Sequence, residues 1–476
     1  MNINQLLQTL GNTNKTIISD NHSTLTGKAL ADRVQEIAIR LNALGIKDKR
    51  ICLLRMTNTV DAVVILLAAL LNRAVVFIAN PHDPVGKICA TLDQFPVFAL
   101  LTDRATSITV QKKTAGHFFS QVQAVDDAHF YVSLFDGRNK PISYYDHCMA
   151  EADIAIFSSG STGEPKAILH QLDHVLLNAQ LHAESIGLQG NDKIGITLPL
   201  YYSYGLVANL FSGLLIQCEI NFGYQVGSID AEWIDHNAIS VLSITPFIAK
   251  KIDQPHPSLR VLTIGGDILH CKQAQRLLDL YPDCEIYSTY GLTEAGPRVS
   301  TCRIDASVLQ NSFILPLGKP LTGVTLLIEN DEKQGELWIH TPTHMLGYYL
   351  GVNDGFLPQY PDGALIRTGD LYEERRGHFY FIGRKKKIIF QGGEKIFPLM
   401  VETVLHHLEG VFDVMVASIS DEEKGQVAKA FIVADESLTL HDVRKHLKQQ
   451  LCGSLIPERL EFVSAIPRSQ TGKILA

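Results

Sequence analysis

Charge is sparse in this 476-residue sequence: Asp, Glu, Lys and Arg together make up 19%, and 42 basic against 50 acidic residues leave a formal charge of −8. An acidic balance argues against the basic surface on which binding to nucleic acid or anionic lipid depends. The eight cysteines (Cys52, Cys89, Cys148, Cys218, Cys271, Cys284, Cys302 and Cys452) include no Cys-x-x-Cys pair. Scattered in this way they exclude a disulfide frame and a thiolate zinc site, and predict buried thiols in a reducing compartment. Long apolar runs are missing too. The most apolar stretch, Ala62 to Leu71, is ten residues bounded by Asp61 and Asn72, about half of the ~20 that a membrane helix needs. The start, Met1-Asn-Ile-Asn-Gln, lacks the basic and apolar regions of a secretion signal. These absences predict a cytoplasmic protein with no membrane span. What is present is apolar substance: 46% of residues are hydrophobic, enough to exclude wholesale disorder and to fill the cores of roughly two to four domains.

Periodicity gives the class. Leu30 to Leu44 repeats at helical spacing and stops at Gly45; Arg50-Ile-Cys-Leu-Leu predicts a buried strand, Ala62–Leu71 a buried helix, and Ala74-Val-Val-Phe-Ile another strand. Helix, strand, helix, strand with short connections predicts a parallel sheet covered by helices. The pattern returns at Ile194–Leu198, Gly205–Ile216, Val241–Ile244 and Val261–Ile264. After about residue 315 short strands with turns take over, such as Val324–Ile328 and Gly335–Ile339. The last stretch alternates helix (Val401–Leu408, Leu440–Leu451) with strand (Val414–Ser418, Lys429–Val433). A boundary falls at the charged run Gly383-Arg-Lys-Lys-Lys387, giving domains 1–383 and 384–476.

Four segments carry chemistry. Ile154–Phe157 reads as a strand leading into Ser158-Ser-Gly-Ser-Thr-Gly-Glu-Pro-Lys166. Gly160 and Gly163 let backbone N–H groups turn inward, Ser158, Ser159, Ser161 and Thr162 add donors, and Lys166 adds a point charge, a set suited to a polyphosphate. It is not the Walker pattern, because Pro165 stands where that pattern has glycine. Tyr287-Ser-Thr-Tyr-Gly-Leu-Thr-Glu294 offers a ring for a nucleobase, a hydroxyl for a phosphate and a carboxylate for Mg²⁺. Arg367-Thr-Gly-Asp370 presents a carboxylate suited to a ribose diol, and Pro467-Arg-Ser-Gln-Thr-Gly-Lys473 ends in a lysine on a polar loop.

In this order the four segments resemble those of the adenylate-forming superfamily: acyl-CoA and aryl-CoA ligases, firefly luciferase and the adenylation domains of nonribosomal peptide synthetases. Leu259–Asp267, Gly318-Lys-Pro320, Gly335-Glu-Leu-Trp and Gly383–Gly393 extend the resemblance from about Thr26 to Ala476. It implies an α/β fold with a large N-terminal domain of two helix-covered β-sheets plus a β-rich subdomain, and a small mobile α+β C-terminal domain. It implies that a carboxylate attacks Mg·ATP to give acyl-AMP and pyrophosphate, and that a thiol, CoA or a phosphopantetheine, then takes the acyl group. By motif position, Ser158 to Gly163 and Lys166 hold the β- and γ-phosphates. Gly266, Asp267 and Tyr290 hold adenine, Thr293 the α-phosphate, Glu294 the magnesium, and Asp370 and Arg384 the ribose. Tyr201, Tyr202, Tyr204, Gly205, Gly265 and Gly291 line the acid pocket. Lys473 bridges α-phosphate and carboxylate, Lys386 is the hinge, and Gly392 and Gly393 line the thiol tunnel.

Departures refine the expectation. Pro199-Leu-Tyr-Tyr202 puts tyrosine where many relatives have histidine, and Leu200–Leu206 holds no acid to pair with an ammonium. A fatty, aryl or other uncharged-tail acid is therefore expected rather than an α-amino acid. His170 and His174 are expected as ordinary residues of one helix, and His406-His407 on the surface. The chain stops three residues after Lys473, which predicts the loss of a terminal element found in relatives. CoA is the expected acceptor, a carrier protein the alternative, and an inactive nucleotide-binding scaffold the reading from another class.

Overall fold

The computed structural model describes residues 1–103, 119–126, 130–135, 147–158, 166–223, 227, 229–309, 314–351, 355–358, 365–421 and 425–468. Its frame is set by one helix without a polar face. Val60–Leu71 is capped by Thr59, whose side chain accepts from Ala62 N, and apart from Asp61 it is buried from Val60 to Leu70. A helix apolar all round must be covered on every side, and two sheets cover this one. Its core joins Ile194, Ile196 and Ile220 of one sheet to Cys52, Leu54, Val76 and Ile78 of the other. The neighbouring helix Gly27–Ala43 turns Leu30, Val34, Ile37 and Leu41 into the same core. It gives way to Gly45, whose φ of +83° suits the left-handed turn that ends a helix.

The first sheet runs in the order Lys319–Pro320, Arg298–Arg303, Glu285–Gly291, Val261–Gly265, Val241–Ile244, Lys193–Ile196, Glu219–Phe222, Thr16–Ser19, Thr24–Thr26. The second runs Gly355–Pro358, Gly347–Gly351, Lys166–His170, Ile154–Ser158, Val75–Ala79, Ile51–Arg55, Ala99–Asp103, Phe130–Phe135, Phe119–Asp126. In Ile51–Arg55 and Val75–Ala79 alternate residues serve opposite cores: Cys52, Leu54, Val76 and Ile78 face the central helices, whereas Ile51, Leu53, Val75 and Phe77 pack with Leu92 and Phe95. Central parallel strands buried on both faces therefore read as unbroken apolar runs. A four-stranded antiparallel sheet, Thr325–Ile328, Gln334–His340, Leu365–Arg375 and His378–Arg384, follows. The chain leaves it at Arg384, passes a 3₁₀ turn at Lys385–Lys387, and enters the hairpin Ile389–Gln391 and Glu394–Ile396. Beyond lies a three-stranded sheet, Val411–Asp421, Gly425–Ala434 and Arg459–Phe462. Its core includes Val401 and Leu405 of the helix Pro398–His406, and Val443 and Leu447 of the helix Leu440–Gln450.

Three expectations are corrected. His170 closes the strand Lys166–His170 while His174 lies in the helix Leu172–Ser185, so their spacing of four spans a turn at Gln171. His406 is half-buried rather than fully on the surface: its ring packs 4.3 Å from that of His270, across from the larger body. Of the cysteines, Cys52, Cys218, Cys271, Cys284 and Cys302 are buried, but Cys89 is half-buried and Cys452 is exposed.

The buried and half-buried imidazoles make stability depend on acid. Burial lowers the pKa of His170, His182 and His270 to about 3, and that of His406 to about 4, from 6.5. Below 6.5 the unfolded chain takes up protons that the folded chain refuses, so stability present above that pH is lost as pH falls. Glu402, raised to about 7, and Asp370, also raised by burial, act in the opposite sense, but they stand against these four imidazoles and a fifth, His344, lowered in the same way. The midpoint of urea unfolding is expected to fall steadily between pH 6.5 and about pH 5; a flat midpoint contradicts this.

Candidate active site

Two neighbouring parallel strands, Val261–Gly265 and Glu285–Gly291, pair with Gly265 opposite Thr289, so their carboxyl ends deliver Gly265, Gly266, Tyr290 and Gly291 to one edge. Ligands of open α/β sheets bind at such edges. A Cβ at Gly265 would stand 2.5 Å from Thr289 Oγ1 and 3.1 Å from Tyr204 Cε1, and Gly266 has φ +86°; the double glycine keeps the edge open. Asp267 is exposed, and its Oδ1 accepts from Ile268 N at 2.9 Å.

Tyr290 reaches from this edge to the antiparallel sheet, where its hydroxyl donates to Asp370 Oδ2 at 2.8 Å. Asp370 lies opposite Arg384 in the strand pairing and binds its Nε at 2.9 Å. Thr368 Oγ1 accepts from Asp370 N at 3.0 Å, and Gly369, at φ +69°, makes the backbone step. Burial raises the Asp370 carboxyl's pKa, while the Arg384 charge and the Tyr290 hydroxyl pull it back. The Tyr290 phenol is pushed well above its usual range, by burial first and then by Tyr372 and Asp370. Tyr290, Asp370 and Arg384, assigned to one nucleoside from sequence, thus meet in one cluster.

The next turn, Thr293–Ala295, carries the polar end of the site. Thr293 Oγ1 lies 2.9 Å from Ser203 Oγ, and Glu294 Oε1 accepts from Tyr348 Oη at 2.9 Å. The segment containing Tyr348 ties this turn to the second sheet: Met345 N donates to Glu294 O and Leu346 N to Leu169 O, both at 2.8 Å, and Tyr348 pairs with Ile168. Ile168 lies two residues after Lys166, whose backbone is the register partner of Ser158 in the strand ladder. The lysine strand and the Tyr-Gly-Leu-Thr-Glu segment therefore share one side of the molecule. Ser159 to Gly163 and Lys473 lie outside the described residues. Among the described residues no group of three or more His, Cys, Asp or Glu side chains could hold a metal ion.

The expected acid pocket is built from Pro199 onward. Asn58 clamps its entrance, donating from Nδ2 to Leu198 O and accepting from Leu200 N, both at 2.9 Å. Tyr201 and Tyr202 pack with ring centroids 4.6 Å apart, and Tyr204 Oη lies 3.0 Å from Thr263 Oγ1. A Cβ on Gly205 would collide with Pro199 O, and one on Gly291 with Pro297 O. From Leu206 to Phe211 the helix is π-helical, a form that recurs at functional sites. Arg298 was not singled out in the sequence, yet its guanidinium lies over the Tyr204 ring at 4.3 Å. The available signal was a cation opening an otherwise uncharged run, Arg298-Val-Ser-Thr-Cys.

Lys385 ties the hinge region to the nucleoside cluster. Its Nζ binds Glu336 Oε2 at 3.0 Å, and Glu336 Oε1 accepts from Gly369 N at 2.9 Å. Lys386 is exposed, as are Gly392 and Gly393, which turn the two-stranded hairpin at φ +58° and +88°.

Two helix-separated sheets with a nucleotide-type edge, followed by a small α+β unit, define a two-part nucleotide-handling α/β enzyme architecture. The chain belongs to the AMP-binding enzyme family: the family model matches residues 8–349, and that of the AMP-binding enzyme C-terminal domain matches residues 400–473. It is 25% identical to a 2-succinylbenzoate–CoA ligase of Bacillus licheniformis over 96% of this chain and 95% of the relative. It is also 25% identical to a 4-coumarate–CoA ligase-like protein of Arabidopsis thaliana, over 96% and 84%. Among solved structures it resembles the anthranilate CoA ligase AuaEII in complex with anthranoyl-AMP, with TM-score 0.82, 18% identity, and coverage of 100% and 95%. It also resembles the o-succinylbenzoate CoA synthetase of Bacillus subtilis with its acyl-adenylate, with TM-score 0.77, 19% identity, and coverage of 99% and 96%. No helix among the described residues is long and apolar enough to cross a membrane.

Proposed function

We propose that this protein is an ATP-dependent acid–thiol ligase that converts a carboxylic acid to acyl-AMP, releasing pyrophosphate, and passes the acyl group to CoA. The observation that carries this reading is the meeting of Tyr290, Asp370 and Arg384 beside the turn that bears Thr293 and Glu294. In it, Tyr290, Gly266 and Asp267 hold adenine, Asp370 and Arg384 the ribose hydroxyls, and Thr293 the α-phosphate. Ser158 to Gly163 and Lys166 hold the outer phosphates, and the acid lies along Tyr201, Tyr202, Tyr204, Gly205, Gly265 and Gly291.

The chemical demand is that two anions meet, so the protein's work is positioning and charge stabilisation rather than covalent chemistry. Magnesium fits the residues present: Glu294 is a single carboxylate held in place by Tyr348, and this ion binds through one or two carboxylates and substrate phosphates while keeping several waters. When bound, it neutralises phosphate charge. The domains divide at Gly383 and Arg384, with 384–476 moving about Lys386 between the half-reactions to bring Lys473 in for the first and Gly392-Gly393 for the second. Dependence on ATP and the buried free thiols support a cytoplasmic setting.

The names of the relatives put aromatic acids first in the test. Purified enzyme with Mg·ATP is expected to release pyrophosphate with at least one member of a panel of aryl, fatty and amino acids, and then to form a thioester with CoA. Thioester formation only on a phosphopantetheinylated carrier protein would replace CoA as acceptor. Absence of pyrophosphate release with every acid would leave the scaffold reading.

A further inference from the structure

The inner wall of the proposed acid pocket holds a cation with no counter-charge among the described residues. Arg298 is 3% exposed and pairs with Gly291 across the strand ladder, which places it beside the pocket edge. Its guanidinium rests on the Tyr204 ring, while its Nε and Nη2 have no hydrogen-bond partner and no carboxylate among the described residues pairs with it. Buried charges are ordinarily paired, and buried donors ordinarily satisfied. The surroundings offer no relief. His182, lowered to about 3 by burial and then by the Arg298 charge, is neutral.

A second orphan donor shares this polar patch. Asn209, in the π-helical run, has its Oδ1 occupied by Ser243 Oγ at 2.6 Å, and its Nδ2 has no partner. Ser243 continues to Thr263 at 2.7 Å, and Thr263 to Tyr204 Oη at 3.0 Å. Hydroxyls can satisfy one another by rotating, but Arg298 Nε, Arg298 Nη2 and Asn209 Nδ2 are obligate donors. The patch has a surplus of donors and a net positive charge. A carboxylate, which only accepts and matches a guanidinium fork in shape, is its complement.

We propose that Arg298 selects a dicarboxylic acid: one carboxylate is adenylated, and the second, on the tail of the acid, pairs with the Arg298 guanidinium beside Tyr204. The inference rests on the adenylation reading above. It replaces the uncharged tail expected from the sequence with an anionic one, and it deepens the case against amino acids, whose ammonium the same cation repels.

The test measures kcat/KM for pyrophosphate release with matched pairs: succinate against butanoate, adipate against hexanoate, and phthalate against benzoate. The wild type is expected to prefer at least one dicarboxylate over its partner by about tenfold or more. Arg298→Met is expected to lower that ratio by roughly 100-fold, as the loss of one member of a buried charge pair does, and Arg298→Lys to restore part of it. A purely structural Arg298 would lower both members of a pair together and leave the ratio unmoved, which would overturn the assignment even if the variants were less stable. Turnover of monocarboxylates alone would overturn this inference and leave the ligase reading standing. Silence across the whole panel would overturn both.

Discussion

Lys473→Ala is expected to cut pyrophosphate release by roughly 100- to 1,000-fold, the usual loss when a preorganised charge-stabilising donor is removed, while thioester formation from supplied acyl-AMP largely survives. The asymmetry follows from where charge develops. In the first half-reaction a carboxylate approaches the α-phosphorus and negative charge builds between them; a lysine placed there stabilises the transition state more than the ground state, and this difference lowers the barrier. In the second half-reaction the anhydride already exists, and the thiol needs the same space. Arg468, five residues before Lys473 in the sequence, grips Asp413 through Nη2 at 2.8 and 3.0 Å and Nε at 3.1 Å, and Lys250 of the larger body approaches the same carboxylate at 3.6 Å. Assaying the two half-reactions separately decides the matter. Equal loss of both would mean that Lys473 supports the fold or a common binding step instead.

Lys386→Pro is expected to give the mirror image, with adenylation retained and thioester formation reduced by roughly 100-fold, the scale of loss from a misplaced reacting group. Proline fixes φ near −65° and biases the residue before it toward extended backbone, so a hinge that must change its dihedrals between half-reactions is held in one. Lys386 suits substitution because it is exposed, in a short turn between the four-stranded sheet and the hairpin that follows. The complication is Lys385, whose ion pair with Glu336 supports the backbone at Gly369. Lys385→Ala serves as the control: it removes that pair without restricting rotation, and its effect is expected to fall on ATP binding. Thioester synthesis at the wild-type rate by Lys386→Pro would remove Lys386 from the hinge role.

Much of the scaffold was legible because its signals are local. Leu30–Leu44, Arg50–Leu54, Ala62–Leu71 and Ala74–Ile78 each announce their element by spacing, and each is found within a few residues of its expected span. The terminal α+β unit was legible for the same reason. What escaped depends on partners distant in sequence. Thr16–Ser19 is four residues with no strong pattern, and it joins the sheet by pairing with Glu219–Phe222 on one side and Thr24–Thr26 on the other. His406 read as a surface residue because nothing near it in the sequence names His270 as its neighbour. His170 and His174 looked helical because a spacing of four is blind to a turn between strand and helix. In the site, motif order foretold that Tyr290, Asp370 and Arg384 would meet. Arg298 went unnoticed because its meaning lies in having no acid to pair with among the described residues, which only the folded neighbourhood reveals.

The place of Thr16–Ser19 in the first sheet also sets a timetable for the growing polypeptide. Its partner strand ends at Phe222, so more than two hundred further residues must leave the ribosome before the two can meet. At roughly 5–20 residues per second that interval is on the order of 10–40 s. Throughout it Ile17 and Ile18, fully buried in the finished molecule, have only the short neighbouring strand Thr24–Thr26 to pair with; a two-stranded ribbon is marginal in water, so their early cover is transient collapse onto the helices synthesised just after it.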